Sequence, residues 1–155
     1  MLQLTKVADG ENLSHIHQLF IEYQKYLGID LCFQNFDNEL AALPGVYAPA
    51  WGRLLLAQYD GKVAGCVALR KMTRQTCEMK RLYVRPEFRG KGIGKELAVR
   101  IIEEAKQIGY KRIRLDTLPV MKEAIALYRR LGFKDTTPYY HNPIEGTIYM
   151  ELKLS

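Results

Sequence analysis

The segment Glu78–Lys95 constrains the fold of this chain more than any other, because it combines a strand, a glycine-rich turn and the start of a helix. The strand-like run ends at Arg85, three glycines follow, and from Lys95 onward apolar residues recur at helical spacing. Glycines let the main chain approach a ligand closely, and the first helical turn adds unpaired N–H donors and the positive end of the helix dipole. The segment therefore predicts a phosphate site. Three cations add positive charge around it: Arg89, Lys91 and Lys95.

Two common phosphate motifs do not fit the segment. A P-loop requires Gly, four residues and then Gly-Lys-Ser/Thr, but Arg89 stands in the first glycine's place and Glu96 replaces the hydroxyl residue that binds Mg²⁺. A dinucleotide fingerprint requires glycines at relative positions one, three and six, and counting from Gly90 or from Gly92 leaves the last of these without a glycine. The segment predicts neither a nucleotide triphosphatase nor a dinucleotide-binding enzyme.

The spacing that does fit is Arg89-x-x-Gly92-x-Gly94, which follows a strand and opens an amphipathic helix. It resembles the Arg/Gln-x-x-Gly-x-Gly/Ala signature of the GCN5-related N-acetyltransferases (GNAT), which bind the pyrophosphate of acetyl-CoA. Downstream, the segment Ala124–Phe133 resembles the second hallmark of that family, a helix that carries a tyrosine and ends in Gly-Phe. The resemblance covers roughly residues 53–133 well and the two ends of the chain loosely.

The order of predicted elements agrees with that resemblance. Apolar periodicity predicts one α/β domain over residues 1–155, with a mixed sheet in the order β-αα-βββ-α-β-α-ββ. Asp60-Gly61 predicts a hairpin, and the crowded apolar residues Leu82–Val84 are consistent with a β-bulge, which the resemblance also implies. The predicted strands span residues 2–7, 53–59, 62–70, 76–84, 112–118, 133–135 and 147–154, and the predicted helices span 12–27, 33–43, 95 to just before 109, and 121–131.

Composition and the N-terminal segment predict where in the cell the protein is found. With 48% apolar and 26% charged residues, the 155-residue chain is typical of a globular protein. No apolar run approaches the ~20 residues that a membrane span requires. The segment Met1–Val7 lacks the basic-then-apolar order of a signal peptide. These features predict no membrane partner and a cytoplasmic location.

The formal net charge of +6 and the pI of about 9.2 suit a polyanionic partner. Either a cofactor such as acetyl-CoA or a nucleic acid would satisfy that charge. The basic residues are scattered singly and in pairs, without a basic block, so the pattern favours the cofactor and no nucleic-acid partner. A basic nucleic-acid-binding domain stays as the third alternative.

Cysteine and histidine placement predicts reduced thiols and no metal site. Cys32, Cys66 and Cys77 are odd in number and share no metal-type spacing. His15 and His17 are two residues apart on a predicted helix, so their side chains point away from each other.

The resemblance implies a set of cofactor contacts. Pantetheine would lie along the strand end as an added strand, with a backbone N–H as oxyanion donor, and the glycine turn would hold the pyrophosphate. Many relatives begin the tyrosine helix with an asparagine that binds the pantetheine arm, and Met121 stands in that place here. The implied contact residues are Leu82, Tyr83, Val84, Arg89, Gly90, Lys91, Gly92, Ile93, Gly94 and Lys95.

Two side chains are the predicted catalytic residues. Glu78 is the candidate general base, directly or through water, because it lies on the strand that would carry the thioester. Its alternative role is a cross-strand ion pair with Lys80, Arg70 or Arg114. The resemblance assigns Tyr128 to protonation of the departing thiolate, and its alternative role is a core aromatic.

The predicted acceptor is the primary amine of a small molecule, such as an amino acid or a polyamine-like metabolite, which receives acetyl by direct transfer in a ternary complex. Its pocket would be built from the first two helices and the loops Leu43–Trp51 and Pro138–Pro143. A peptide N-terminus or lysine acceptor, and a non-catalytic acyl-CoA-binding module, are the alternatives, and a monomer and a homodimer both stay open. Candidate substrate-binding residues are Tyr47, Asp116, Tyr139, Tyr140 and His141.

Overall fold

The computed structural model describes residues 1–28, 35–140 and 142–155, and one seven-stranded sheet runs through the described chain. The strands are β1 Leu2–Lys6, β2 Arg53–Tyr59, β3 Lys62–Lys71, β4 Thr76–Val84, β5 Arg112–Thr117, β6 Lys134–Asp135 and β7 Ile148–Lys153. The helices of these residues are α1 Gly10–Leu27, α2 Phe36–Ala42, α3 Ile93–Ile108 and α4 Lys122–Arg130. The predicted element order and α/β class are confirmed. The start of the predicted second helix, residues 33 and 34, lies outside the described residues.

The sheet opens at its one parallel pair. The strand order is β1-β2-β3-β4-β5-β7-β6, and every neighbouring pair except β4/β5 is antiparallel. Pairing between β4 and β5 ends at Glu78 opposite Arg114, although β4 runs on to Val84 and β5 runs on to Thr117. Beyond Glu78 the facing edges of β4 and β5 have no strand partner between them, so their main-chain groups are open to an added chain.

A β-bulge distorts β4 within this open part, as predicted. Cys66 pairs with Tyr83 and Ala68 pairs with Lys80, so two residues of β4 lie opposite one of β3. Arg81, one of the two, has a positive φ of 60°. Gly65 faces the bulge so closely that a Cβ there would lie 2.4 Å from the Tyr83 carbonyl oxygen. Only glycine fits at that position of β3.

Apolar cores cover both faces of the sheet. Along β2, Leu54 and Leu56 pack on the side of α1 and α2, while Leu55 packs on the side of α3 and α4. All three leucines are buried, and each fully buried leucine side chain contributes about 1.5–3 kcal/mol. The central strands are therefore held from both sides, and the opening between β4 and β5 has a rigid frame.

Helix α3 begins at the glycine turn and ends as predicted. Gly92 is its N-cap in the left-handed conformation (φ 77°), and the helix starts two residues before the predicted Lys95. At the other end the left-handed Gly109 donates its N–H to the carbonyls of Ala105 and Lys106 at 3.2 and 3.1 Å. No helix of the described residues combines the length and the apolar character needed to cross a bilayer.

Candidate active site

The glycine turn before α3 presents a run of unsatisfied main-chain donors. Gly90 and Gly92 have positive φ values of 83° and 77°, and no atom lies within 4 Å of where a Cβ would be. The N–H groups of residues 90–95 donate to no acceptor in the described chain, and the first bonded amide beyond them is Glu96, 3.1 Å from the Gly92 carbonyl. Consecutive free amides at the positive end of a helix form an anion site, so the turn fits a diphosphate.

A cleft of about 850 Å³ lies against this turn and is walled by the end of β4 and one side of α4. Nine of the ten predicted cofactor residues line it. The exception is Lys91, whose Nζ lies 5.2 Å from the centroid of the Tyr59 ring, outside the cleft lining. Lys122 and Arg130 of α4 also line the cleft, and sequence reasoning missed them. Their positive charge adds to the attraction of an anionic ligand.

Arg89, the first residue of the signature, is held at the mouth of the cleft. Its Nε donates to the Val84 carbonyl at 3.0 Å. Its guanidinium lies 4.4 Å from the centroid of the Tyr26 ring, a cation–π distance. The side chain is therefore oriented before any ligand arrives.

A narrow crevice continues from the cleft into the opening between β4 and β5. Leu82 and Met121 line both spaces, which makes them continuous. Tyr128 lines the crevice, and its ring contacts Phe133 at a centroid distance of 5.8 Å. Burial raises the pKa of Tyr128 above its usual value of 10, and the nearby Asp116 carboxylate adds to this, so the phenol is neutral and able to donate a proton.

Met121 also changes the chemistry of this wall. Many proteins of the family that the sequence resembles carry an asparagine at this position, and its amide donates and accepts hydrogen bonds. A thioether has no donor and is a weak acceptor. The side chain at this point of the crevice offers packing in place of a hydrogen bond.

Glu78 lies in a network of charged and phenolic partners. Its side chain is 1% exposed, and its Oε1 accepts from Arg70 Nε at 2.7 Å and lies 3.9 Å from Lys80 Nζ. Tyr139 donates its hydroxyl to Oε2 at 2.7 Å. Of the three ion-pair partners that the sequence left open, Arg70 and Lys80 contact Glu78, and Arg114 bonds a glutamate of β7. Its role as a base stays a prediction.

The connection from β6 to β7, residues 136–147, bridges the opening of the sheet and is called here the tyrosine loop. Tyr139 donates to Glu78 on β4, and Tyr140 donates to Asp116 on β5. Their rings contact each other and the Tyr149 ring at centroid distances of 5.2–5.7 Å. Burial and the two carboxylates raise the pKa of both phenols, which keeps both as donors. His141 lies outside the described residues.

A second cavity of about 490 Å³, called here the α2 cavity, lies between α2 and β4. It is bounded by α2, the 3₁₀ turn Gly45–Tyr47 and the charged ends of β3 and β4. Lys80 lines both this cavity and the crevice, so the two spaces meet at its side chain. Tyr140 lines the cavity as well.

The hydroxyl of Tyr47 is the buried polar group of this cavity. The residue is 1% exposed, and its oxygen hydrogen-bonds no group in the described chain. The Glu39 carboxylate lies nearby, outside hydrogen-bonding geometry, and burial together with this charge raises the pKa of Tyr47. A buried, unsatisfied hydroxyl at a cavity wall is available to a ligand.

An ion pair ties α2 to the bulge of β4. The Arg81 guanidinium donates to both carboxylate oxygens of Glu39, at 3.0 Å each, and lies 5.2 Å from the Phe36 ring centroid. Sequence reasoning missed Lys80, Arg81 and Glu39 as parts of the site. The signal was the pair of adjacent cations Lys80 and Arg81, at the place in β4 where the alternation breaks.

A mixed sheet that opens at its one parallel pair is the fold shared with a putative acyl-CoA N-acyltransferase from Klebsiella pneumoniae, at a TM-score of 0.78 and 24% identity over 100% of this chain and 99% of that one. The chain matches the acetyltransferase (GNAT) family over residues 13–133. It belongs to this family, and it is an enzyme that uses acetyl-CoA as acetyl donor. In the described ranges, no three histidine, cysteine or carboxylate side chains gather as metal ligands.

Relatives of known sequence extend over nearly the whole chain. An uncharacterised N-acetyltransferase of Schizosaccharomyces pombe is 42% identical over 156 residues, which cover 99% of this chain and 96% of the relative. An IAA acetyltransferase of Azospirillum brasilense is 37% identical over 88% of this chain and 89% of its own. The N-alpha-acetyltransferase MAK3 of Arabidopsis thaliana is 32% identical over 86% and 77%.

Solved structures share the fold at low identity. An acetyltransferase of the GNAT family from Staphylococcus aureus superposes with a TM-score of 0.82 over the full length of both chains, at 18% identity. An acetyltransferase from Salmonella typhimurium, solved with its cofactor acetyl-CoA, gives a TM-score of 0.73 over 99% of this chain and 94% of its own, at 22% identity.

Proposed function

We propose that this enzyme transfers acetyl from acetyl-CoA directly to the primary amine of a small molecule, with both substrates bound at once. The observation that carries the proposal is the meeting of the crevice and the α2 cavity at Lys80. The cofactor cleft opens into the crevice, so an acetyl donor and an acceptor would occupy connected spaces beside β4. A ternary complex needs this arrangement.

The tyrosine loop supports a small acceptor. Its two phenols bond to carboxylates on both sides of the sheet opening and cover the site at that place. A cavity of about 490 Å³ is within the range of small-ligand sites, whereas a bound polypeptide needs an open groove.

Acetyl-CoA supplies a thioester carbonyl that an amine nitrogen can attack. The free amides of residues 90–95 would bind the diphosphate, and the unpaired edge of β4 would hydrogen-bond the pantetheine arm as an added strand. A main-chain N–H in the bulge would stabilise charge on the carbonyl oxygen. Tyr128, which its raised pKa keeps protonated at neutral pH, would then give its proton to the departing sulfur.

Glu78 would take the proton of the amine, through a water molecule. Its carboxylate lines the α2 cavity, where an acceptor amine would bind, and pairs with Arg70 at 2.7 Å. The cations Arg70 and Lys80 also disfavour a further positive charge nearby. They would therefore help the acceptor's ammonium group to lose its proton before attack.

The two described cysteines favour direct transfer over an acyl-enzyme. Burial raises the pKa of Cys66, and it raises the pKa of Cys77 to about 12. Both thiols stay protonated at neutral pH and are poor nucleophiles. Cys32 lies outside the described residues.

Thiol release from acetyl-CoA over a panel of amines tests the proposal. We expect release with a subset of small primary amines and intersecting double-reciprocal plots when both substrates are varied. Parallel plots would point to an acyl-enzyme instead. Binding of acetyl-CoA by calorimetry without release for any amine would identify a non-catalytic acyl-CoA-binding module.

A peptide N-terminus is the second candidate acceptor. It is favoured by the similarity to the N-alpha-acetyltransferase MAK3 of Arabidopsis thaliana, which is 32% identical over 86% of this chain. The panel therefore includes short peptides with free N-termini. A kcat/KM for peptides above that for every small amine would replace the small-molecule acceptor with a peptide.

A further inference from the structure

We infer that the acceptor carries a carboxylate close to its amine, as an amino acid does, and that Arg70 binds this carboxylate in the α2 cavity. The inference rests on the proposed function, because it specifies the amine substrate of the same site. It depends on which charges around the cavity are already paired and which still have free hydrogen-bonding groups.

Both carboxylates at the cavity wall are already paired. Glu39 accepts from the Arg81 guanidinium with its two oxygens. Glu78 accepts from Arg70 with Oε1 and from the Tyr139 hydroxyl with Oε2. Neither glutamate is left with an unpaired oxygen for a second ammonium group, so a diamine would gain little from them.

Arg70, in contrast, keeps donors for a ligand. It bonds Glu78 through Nε alone, and its two Nη groups donate to no acceptor within residues 1–28, 35–140 and 142–155. The side chain is 34% exposed and lines the cavity. A guanidinium presents its paired N–H groups in a planar fork that matches a carboxylate.

The charges that line the cavity balance. Arg70 and Lys80 bring two positive charges to its wall, against two negative charges from Glu39 and Glu78. Because both glutamates are already paired and Arg70 keeps donors for a ligand, a substrate anion would gain a contact at this wall. A polyamine would instead bring a second positive charge close to Arg70.

The position of Arg70 relative to the bulge suits a short molecule. Arg70 pairs with Glu78, which lies three residues before Arg81 on β4, a distance of about 10 Å along the strand. A contact of about 3 Å at each end leaves roughly 4 Å for the molecule between them. An amine and a carboxylate separated by one or two carbons span this length.

Tyr47 adds a neutral polar contact for the same ligand. Its hydroxyl is buried at the cavity wall and hydrogen-bonds nothing in the described chain. A polar group of the substrate would satisfy it. Apolar parts of the ligand would contact Ala42, Pro44 and Val46, which line the same cavity.

The experiment compares amino acids with their own amides, because an amide keeps the amine and the side chain and removes the negative charge. Thiol release measures kcat/KM for each pair, expressed per concentration of unprotonated amine at the assay pH. We expect at least one amino acid to exceed its amide by about 10-fold or more. Equal values for every pair, or higher values for the amides, would overturn the inference.

Two variants assign the preference to the residue. Arg70→Gln should lower kcat/KM for both substrates, because Arg70 also pairs with Glu78, and it should reduce the ratio of the amino acid's kcat/KM to that of its amide by about 10-fold or more. Arg112→Gln, at an exposed arginine of β5, is the matched control and should leave both values unchanged. Arg70→Lys, which keeps the charge without the fork, should retain part of the preference.

The outcomes separate this inference from the proposed function. If amines are acetylated but Arg70→Gln leaves the acid-to-amide ratio unchanged, the inference is wrong and the proposed function stands. If no amine of any kind releases thiol from acetyl-CoA, the proposed function is wrong and the inference falls with it. Circular dichroism of the folded variants accompanies each measurement.

Discussion

Tyr128→Phe is the substitution that best separates chemistry from packing in this enzyme. It removes the hydroxyl that lines the crevice and leaves the ring in contact with Phe133. We expect kcat to fall by about 10- to 100-fold, which raises the barrier by about 1.4–2.7 kcal/mol. The dissociation constant for acetyl-CoA should stay nearly the same, because the diphosphate would bind at the glycine turn.

The structure also sets the expected effect on stability. The Tyr128 hydroxyl donates to no acceptor in the described residues, so its removal breaks no hydrogen bond there, and burial of the ring is retained. The melting temperature should therefore change by no more than about 2 °C. Activity should change far more than stability.

Tyr110→Phe is the matched control. Its hydroxyl donates to the Trp51 carbonyl at 2.7 Å, at a tyrosine that is equally buried but does not line the cleft, the crevice or the α2 cavity. Loss of this bond should cost about 1 kcal/mol, or about 2–4 °C in melting temperature. Turnover should be unchanged. Tyr128→Phe should thus lower turnover more than stability, and Tyr110→Phe should lower stability more than turnover.

The assay is steady-state thiol release with saturating acetyl-CoA, together with thermal melting of both variants. Wild-type turnover in Tyr128→Phe would refute the assignment of the phenol as proton donor. The pH profile gives a second check, because burial raises the pKa of Tyr128 above 10. Ionisation of Tyr128 should therefore not lower wild-type activity between pH 8 and about 10. A decline in this range that is present in the wild type and absent in Tyr128→Phe would contradict this.

The remaining predictions concern the cradle and an acid-sensitive cluster. Gly92→Asp should weaken acetyl-CoA binding in calorimetry by more than 100-fold, because a carboxylate about 5 Å from a phosphate charge costs about 3 kcal/mol per pair. Gly109→Asp, at the left-handed residue roughly 24 Å away at the other end of α3, should bind normally, and equal losses in both would refute the cradle. Burial alone would raise the pKa of Glu104, but the cations that hydrogen-bond to it outweigh burial, so its pKa in the folded protein is lowered. The ionised Glu104 therefore stabilises the fold above its unfolded pKa of about 4.3, and this stabilisation is lost as pH falls through the folded pKa. Glu104→Gln should melt at least about 2–4 °C lower at pH 7 and approach the wild type below about pH 4, and a pH-independent difference would contradict this. The cations are Arg53, Arg100 and Lys6.

Sequence alone determined those features that depend on near neighbours. The hairpin at Asp60-Gly61, the ends of α1 and α3 at Gly28 and Gly109, and the bulge in β4 were all predicted, because each depends on backbone preferences within a few residues. The glycine turn belongs to the same group. Its spacing indicated an anion site, and the structure gives it a left-handed Gly92 and free amides.

Only the tertiary structure decided which distant side chains meet. Glu78 bonds Arg70 and leaves Arg114 to β7, Lys91 lies over Tyr59, and Arg81 reaches Glu39, 42 residues away in sequence. Strand register and the bulge that turns Arg81 toward α2 determine these contacts. Burial adds to them, because a charged side chain that is removed from water needs a partner in the protein. Periodicity reports the face on which a residue lies, but it carries no information about the residue opposite. The α2 cavity and the tyrosine loop over the sheet opening, which bear on the choice of acceptor, exist only where those long-range contacts form.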